Sequence, residues 1–472
     1  MTQKGKLREA QTTALAKNEC VPLTITDLGA EGEGIGRYQG FTLFVKDAVV
    51  GDELIVKVLK TKKTYGYARI ESIVTPSKYR VTPKCALANR CGGCQIQQLD
   101  YQKQLEYKQQ KVKNCIERIG GITEYEMEPI LGMEDPYFYR NKSQYPVGYN
   151  KEGEIVMGFY AGRTHSIIDS NRCFIGDKSN ERILEIIRAF LRQEKISIYE
   201  EETHKGLLRH ILIRVGFTSR QVMVCFVING RKIPKQEELT KQLLAYNKEQ
   251  EDYQITSICY NVNQEKTNVI LGNQVIPVYG EPWIIDQIGL IKYQISPLSF
   301  YQVNPIQTKK LYELALDYAD LHGEEIVWDL YCGIGTISLF LAQRAKKVYG
   351  VEIIPQAIED AKRNADLNQI TNAEFFVGAA EEVLPAKYKE SHGAMKAEVI
   401  VVDPPRKGCE LSLLETVTKM EPKRIVYVSC DPATLARDLK YLTEEGYELK
   451  KVRAVDQFPH SVHVETVCLM SK

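Results

Sequence analysis

The run Ser429-Cys-Asp-Pro-Ala-Thr-Leu-Ala-Arg-Asp438 sets a cysteine between an apolar stretch, Arg424 to Ser429, and a helical pattern. A thiol at a helix N-terminus sits where backbone dipoles favour its anion, the form that attacks carbon. Pro432 stiffens the turn behind it by fixing φ. Cys430 is therefore a candidate nucleophile. Covalent catalysis of this kind needs a partner to handle protons. Glu465, in His460-Ser-Val-His-Val-Glu-Thr466, offers a carboxylate at the head of the apolar run Val464 to Met470. On residue types alone, the plainer reading of Glu465 is a solvated strand end.

Two further motifs carry acids on glycine- or proline-rich loops. Asp329-Leu-Tyr-Cys-Gly-Ile-Gly-Thr336 joins a predicted strand to a helix, and its glycines let the backbone turn sharply and approach a ligand. Glu352 closes the next strand, where a carboxylate suits ribose hydroxyls. The loop lacks the full G-x-G-x-x-G, which weakens a case for NAD. Its Asp-x-x-x-G-x-G form is the one methyltransferases use for S-adenosylmethionine. Asp403-Pro-Pro-Arg-Lys-Gly408 ends another predicted strand, at the sheet edge where open α/β folds bind ligands. It approaches the Asp/Asn-Pro-Pro-aromatic motif of amino-nitrogen methylases, but Arg406 replaces the aromatic ring, which argues against nitrogen as acceptor.

Cys85, Cys91 and Cys94, with the pair Gly92-Gly93 among them and a distant Cys173, form a possible four-thiolate set. Such spacing lets three thiolates converge on one centre, zinc or iron–sulfur. Twelve cysteines are many where disulfides rarely persist, so some are expected to bind metal or do chemistry.

The elements that must position these residues fall into three regions. Residues 15–74 hold short β-rich runs, Val21 to Thr26, Phe41 to Val45, Glu53 to Val58 and Tyr67 to Glu71, with the glycines of 29–36 read as turns. They suit a small oligonucleotide-binding type barrel. Lys57, Lys60, Lys62, Lys63 and Arg69, with Tyr65 and Tyr67 among them and no acid, could meet phosphates and bases. Residues 75–280 predict an antiparallel α+β domain, with hairpins at 150–153 and 218–219 and helices near 178–194 and 235–248. A Gln- and Lys-rich helical pattern over 97–119 interrupts it and is expected to pack on the C-terminal domain. Residues 281–472 alternate strand and helix, the pattern of a doubly wound parallel sheet. At 472 residues, 44% hydrophobic and 26% charged, the whole is an ordinary globular chain. The stretch Met1 to Glu19 has no signal-peptide core and no run is long enough to span a bilayer, so a cytoplasmic location is expected. The net charge of +1 does not announce a partner.

With Phe300-Tyr-Gln-Val-Asn304, the three motifs resemble the RNA uracil-5-methyltransferase family in order and spacing, over essentially the whole chain. The resemblance implies a C-terminal class I, Rossmann-like methyltransferase domain. Carried over by position, it implies Cys430 as the nucleophile on carbon 6 of uracil and Glu465 as the base that removes the carbon 5 proton. It implies contacts to S-adenosylmethionine from Gln302, Tyr331, Glu352 and Asp403. Thr336 stands where some relatives have Asn and is left off that set. The cysteine quartet resembles the 4Fe-4S site of bacterial 23S ribosomal RNA uridine methyltransferases, and residues 15–74 resemble their TRAM domain. Transfer RNA relatives generally lack both, so the resemblance implies 23S ribosomal RNA as substrate and Cys85, Cys91, Cys94 and Cys173 as cluster ligands. The rival readings are a transfer RNA uridine-5 or an RNA cytosine-5 methyltransferase, and a non-catalytic RNA-binding iron–sulfur protein. No membrane and no obligate protein partner is implied.

Overall fold

The computed structural model describes residues 15–162, 164–249 and 251–472, so most of the Met1 to Glu19 stretch lies outside the described residues. The chain divides into two compact units. One holds residues up to Asn89 with Gly93–Tyr107 and His460–Val462; the other holds Arg90–Gly92, Lys108–Pro459 and His463–Lys472.

In the first unit β1 (Cys20–Leu28), β2 (Gly34–Tyr38), β3 (Phe41–Val45), β4 (Glu53–Thr61) and β5 (Tyr65–Thr75) close a barrel in the order β1-β2-β3-β5-β4. Alternate residues point inward, as a two-residue repeat requires. Leu23, Ile25, Leu43, Val45, Leu54, Val56 and Ala68 fill the interior. β2 corrects the sequence reading, which took Gly34 and Gly36 for turn residues. They lie in a strand that crosses its neighbours too closely for a side chain. A Cβ on Gly36 would sit 2.5 Å from the Thr24 carbonyl oxygen, and one on Gly34 2.7 Å from Ala48 Cβ.

In the second unit, one sheet is built from β7 (Lys142–Tyr149), β8 (Ile155–Tyr160), β9 (Ile167–Asp169), β10 (Leu208–Val215), β11 (Gln221–Ile228), β12 (Gln254–Val262) and β13 (Gln274–Tyr279). Its order is β13-β12-β11-β10-β7-β8-β9. The expected all-antiparallel sheet is in fact mixed, because β11 and β12 run parallel through the crossover helix α3 (Gln236–Glu249). Helix α3 and α2 (Ser179–Gln193) cover one face, where Ile211, Ile213, Val224 and Phe226 pack. The other face sends Leu212, Met223, Cys225 and Cys259 into the core of the C-terminal region. Burial on both sides explains the unbroken apolar run of β11.

The second sheet is the doubly wound one. Its parallel strands are β16 (Ile326–Leu330), β17 (Lys347–Glu352), β18 (Ala373–Val377), β19 (Val399–Val402) and β20 (Arg424–Ser429). Helices α5 (Thr336–Leu341), α6 (Pro355–Leu367), α7 (Ala380–Glu390), α8 (Leu411–Lys419) and α9 (Pro432–Glu444) link them. Ahead of it, a hairpin of β14 (Ile284–Ile288) and β15 (Ile291–Ile295) leads into α4 (Pro305–Ala319). The antiparallel β22 (Glu465–Ser471) is inserted between β20 and β21 (Glu448–Val455), giving β18-β17-β16-β19-β20-β22-β21-β6.

The edge strand β6 (Glu126–Leu131) comes from a stretch the sequence reading gave to the central region, and it pairs in parallel with β21. The helix expected over 97–119 starts later, as α1 (Tyr101–Cys115), because the Asp100 carboxylate accepts the amides of Gln102 and Lys103. A π-helical turn (Ile116–Gly120) continues it, and Gly121 at φ +71° ends it. Val112 and Ile116 of this segment join the core beneath α9. Lys108 of α1 forms a fully buried ion pair with Asp456 at 2.5 Å and donates to the Phe458 carbonyl at 2.9 Å. That pair fixes a loop that lines the cavity described next.

Candidate active site

Four of the sequence motifs end at one rim. The parallel strands β16, β17, β19 and β20 finish there, and β22, running the other way, begins there. A cavity of about 740 Å³ opens at this rim, lined by Gln302, Asp329, Tyr331, Glu352, Asp403, Cys430 and Glu465 among others. The structure thus brings together every residue the resemblance nominated for catalysis and cofactor contact. Thr336, left aside, also faces the cavity.

The glycine loop wraps the floor. Tyr331, Gly333 and Gly335 adopt φ of +70°, +55° and +79°, turning the chain back from β16 into α5. A Cβ on Gly335 would lie 3.2 Å from Ala361 Cβ and from the Phe375 ring. The Glu352 carboxylate accepts the amides of Gly333 (3.3 Å) and Ile354 (3.0 Å). Asp329 is buried beneath the loop. Its Oδ2 accepts the Ser338 hydroxyl, and its Oδ1 has no protein hydrogen-bond partner among the described residues. Burial pushes its carboxyl up to about 7, the Ser338 hydrogen bond opposing and nearby Asp403 adding to the rise.

Helix α9 clamps the Asp403-Pro-Pro-Arg-Lys-Gly408 loop. Thr434 Oγ1 donates to the Arg406 carbonyl (3.1 Å), and Arg437 Nη2 to those of Lys407 (3.0 Å) and Cys409 (3.1 Å). The Asp438 carboxylate accepts the Cys409 amide (2.8 Å) and the Tyr427 hydroxyl (2.6 Å). Gly408, at φ +77°, has room for no Cβ: Arg437 Nη2 and Asp438 Oδ2 would each be 2.6 Å away. The motif residues Thr434, Arg437 and Asp438, unassigned from sequence, thereby hold Asp403 and Arg406 in place beside Cys430.

The surroundings of Cys430 oppose the thiolate expected there. Burial pushes its thiol up to about 12, with Glu465 and Asp403 adding to the rise and Arg406 opposing it. Asp431 caps the helix that follows, its Oδ1 accepting the amides of Ala433 (2.9 Å) and Thr434 (3.1 Å). Glu465 is 3% exposed; burial and then Asp403 push it up to about 8, against Arg406. Burial likewise raises Asp403 to about 7. Asp329, Asp403 and Glu465 all line the one cavity.

Of the two nearby histidines, His463 lines the cavity and packs edge-on to Phe458, ring centroids 6.2 Å apart. His460 does not line it; its amide and ring engage the Gln104 side chain. The sequence reading missed Phe300 and Phe458 as lining residues. Side-chain alternation in Phe300-Tyr-Gln was the available signal for the first: Tyr301 is buried core, while Phe300 is 69% exposed at the mouth.

All four cysteines of the proposed set are half-buried. The Gln97 side chain accepts the Cys85 amide (2.9 Å) and reaches Cys94 Sγ (3.7 Å). Cys91 bridges to Ala161, and Cys173 lies beside Gly176. Among the described residues, no group of three or more Cys, His, Asp or Glu is arranged to hold a single metal ion. No described helix is long and apolar enough to cross a membrane.

Comparison with known proteins gives concordant matches. A family model for tRNA (uracil-5-)-methyltransferase matches residues 100–472, and one for the TRAM domain matches residues 16–70. An RNA methyltransferase of Clostridium tetani is 51% identical over 456 residues, covering 96% of this chain and 97% of that protein. One from Bacillus cereus is 47% identical, covering 98% of each. The crystal structure of the Pyrococcus abyssi tRNA (uracil-54, C5)-methyltransferase with S-adenosyl-L-homocysteine superposes with a TM-score of 0.75 at 29% identity, over 95% of this chain and 100% of that one.

Proposed function

The chain belongs to the tRNA (uracil-5-)-methyltransferase family, and on that premise we propose that it methylates carbon 5 of a uridine in 23S ribosomal RNA, with Cys430 as nucleophile and Glu465 as base. The family is dependent on S-adenosylmethionine, and the enzyme acts on RNA. The observation that carries the catalytic reading is the meeting of Cys430, Glu465 and Asp403 in one cavity.

The cavity fits the cofactor. Its volume suits a nucleoside-sized ligand. The unpartnered Asp329 Oδ1 and the raised Asp403 and Glu465 await positive charge. Glu352 stands at the strand end where ribose hydroxyls are held, and Gln302 and Tyr331 complete the wall. S-adenosylmethionine supplies an activated methyl group and a cationic sulfonium.

Carbon 5 of uracil is a poor nucleophile until carbon 6 has been attacked. Cys430 Sγ adds at carbon 6 as its proton passes to water, and the electron pair of the 5,6 double bond moves to carbon 5 and the adjoining carbonyl. Once carbon 5 carries the methyl group, Glu465 accepts its remaining proton. The released pair re-forms the 5,6 double bond and expels the Cys430 sulfur.

What supports the ribosomal target is the pairing of a TRAM-type barrel with the four-cysteine set. The likeness to the Pyrococcus tRNA enzyme favours a transfer RNA uridine as the second reading. Mapping 5-methyluridine in cells with and without the gene separates them: the mark should disappear from 23S ribosomal RNA and persist in transfer RNA, and the opposite result would reverse the assignment. Tritium should be released from carbon 5 of labelled uridine, not cytidine, RNA.

Cys85, Cys91, Cys94 and Cys173 are proposed as ligands of a 4Fe-4S cluster, since four cysteine thiolates are its usual donor set. The role is structural, because the methyl transfer moves no single electron. Protein purified without oxygen should be brown and contain iron and sulfide; stoichiometric zinc without iron would refute this.

The barrel is proposed to grip the RNA. Phe44, Tyr65 and Tyr67 form a ring cluster with centroids 5.6–5.8 Å apart, next to Lys60, Lys62 and Lys63. Replacing Lys57, Lys60, Lys62 and Lys63 by Gln should lower the log–log salt slope of RNA binding by about 0.7–0.9 for each phosphate left without its cation. Cofactor affinity should be untouched. An unchanged slope would leave the barrel a structural module.

A further inference from the structure

Cations gather on one face of the seven-stranded sheet with no carboxylate among them. Lys142 on β7 stands in register opposite Arg214 on β10, and Arg140, two residues earlier, is near enough to repel its charge. That side is the one whose Leu212 packs into the catalytic core. Arg214 is fully buried and directs its guanidinium to the carbonyls of Pro297 (3.4 Å) and Ser299 (2.5 Å). Lys142 has no such partner among the described residues. Burial pulls its ammonium down to about 7, Arg214 and Arg140 push it the same way, and no carboxylate opposes them. Arg140 enters no ion pair among the described residues.

Arg140 and Lys142 are only partly buried, yet charge held there without a counter-charge is costly, and a fold removes it unless something else uses it. The position says what uses it. Asn141, between the two cations, takes its amide to the Val303 carbonyl (2.8 Å) and its side chain to that of Gln302 (2.9 Å). The Tyr139 hydroxyl donates to the Pro459 carbonyl (3.1 Å). Residues 139–142 are thus stitched to both loops that carry cavity residues, Phe300 and Gln302 on one and Phe458 on the other. Phe300, at the cavity mouth, follows directly on the Ser299 carbonyl that Arg214 holds.

We propose that Arg140 and Lys142 bind a backbone phosphate of the RNA, beside the nucleotide that enters the cavity. The assignment rests on RNA being the substrate, as the family implies. A phosphate supplies the missing counter-charge and hydrogen-bond acceptors for both side chains. By holding the backbone there, the pair would hold the base over Cys430.

The test uses Arg140→Met, Lys142→Met and the double variant in the full-length enzyme, with Lys142→Arg as the charge-retaining control. Each Met variant should raise KM for RNA about tenfold, the usual cost of losing a charged hydrogen bond. The salt slope of RNA binding should flatten by about 0.7–0.9 once that phosphate is no longer neutralised. Lys142→Arg should restore the slope, and affinity for S-adenosylhomocysteine should match that of the parent throughout. Unchanged KM and slope in the double variant would overturn the proposal. So would a parallel loss of S-adenosylhomocysteine affinity, since that would mark a purely structural role. Tritium release from uridine RNA by the parent enzyme is scored separately, so failure of the phosphate site cannot be mistaken for failure of the methylation reading.

Discussion

Cys430→Ala should form no covalent RNA adduct and lose methylation by a factor on the order of 10⁴ or more, the scale seen when other enzymes lose their nucleophile. The loss follows from the chemistry, because no other sulfur lines the cavity except Cys332. Cys332 lies on the glycine loop, 4% exposed, with its thiol directed to the Gly333 carbonyl at 3.8 Å. RNA binding and S-adenosylhomocysteine binding should survive, since the substitution removes only a sulfur from a half-buried position. The measurement is a denaturing gel of enzyme mixed with methyl-labelled cofactor and RNA. A shifted, labelled band in the Ala variant would move the nucleophile elsewhere.

Glu465→Gln should do the opposite on the same gel. If the carboxylate acts only after methyl transfer, the variant still attacks and still methylates, then stalls, because the sulfur cannot leave until the carbon 5 proton does. A denaturant-resistant complex carrying the methyl label should accumulate, with turnover slower by about 10²–10⁴-fold. The pH profile gives a second reading. Glu465 is raised to about 8, so it is protonated and unable to accept a proton at lower pH. The kcat of the parent should therefore climb as pH rises towards about 8, and that limb should vanish in the Gln variant. A variant that turns over normally, or that binds RNA weakly and traps no adduct, would reduce Glu465 to a group that orients the uracil.

What could be read from the chain depended on how local the signal was. The five parallel strands of the catalytic sheet sit nearly where their apolar runs predict, since a buried parallel strand advertises itself within its own residues. β6 gives no such sign. Glu126-Met-Glu-Pro-Ile-Leu131 is short, charged and contains a proline, a composition tolerated at a sheet edge, and its partner β21 lies far away in sequence. The glycines of β2 looked like turns because their close neighbours, Leu23 and Thr24 of β1 and Ala48 after β3, lie elsewhere in the chain. The same holds in the site. Cys430 looked like a thiolate because its own helix was visible, whereas Glu465 and Asp403, which oppose ionisation, reach it only through the fold. His460 and His463 are near neighbours in sequence, yet only one of them lines the cavity.

The insertion of β22 between β20 and β21 also sets an order of events in time. From β17 to β20, each parallel strand finds one partner already made as it leaves the ribosome, so the rim that carries the glycine loop, Asp403 and Cys430 can pair early. β22 cannot take its place until β21 exists, and β21 leans on β6, made long before, so this edge closes through contacts of high sequence separation, the slow kind. Glu465 arrives with that strand. A nascent chain therefore displays its nucleophile before the group needed to release it, and the enzyme becomes able to finish its reaction only when the slowest part of its folding is done.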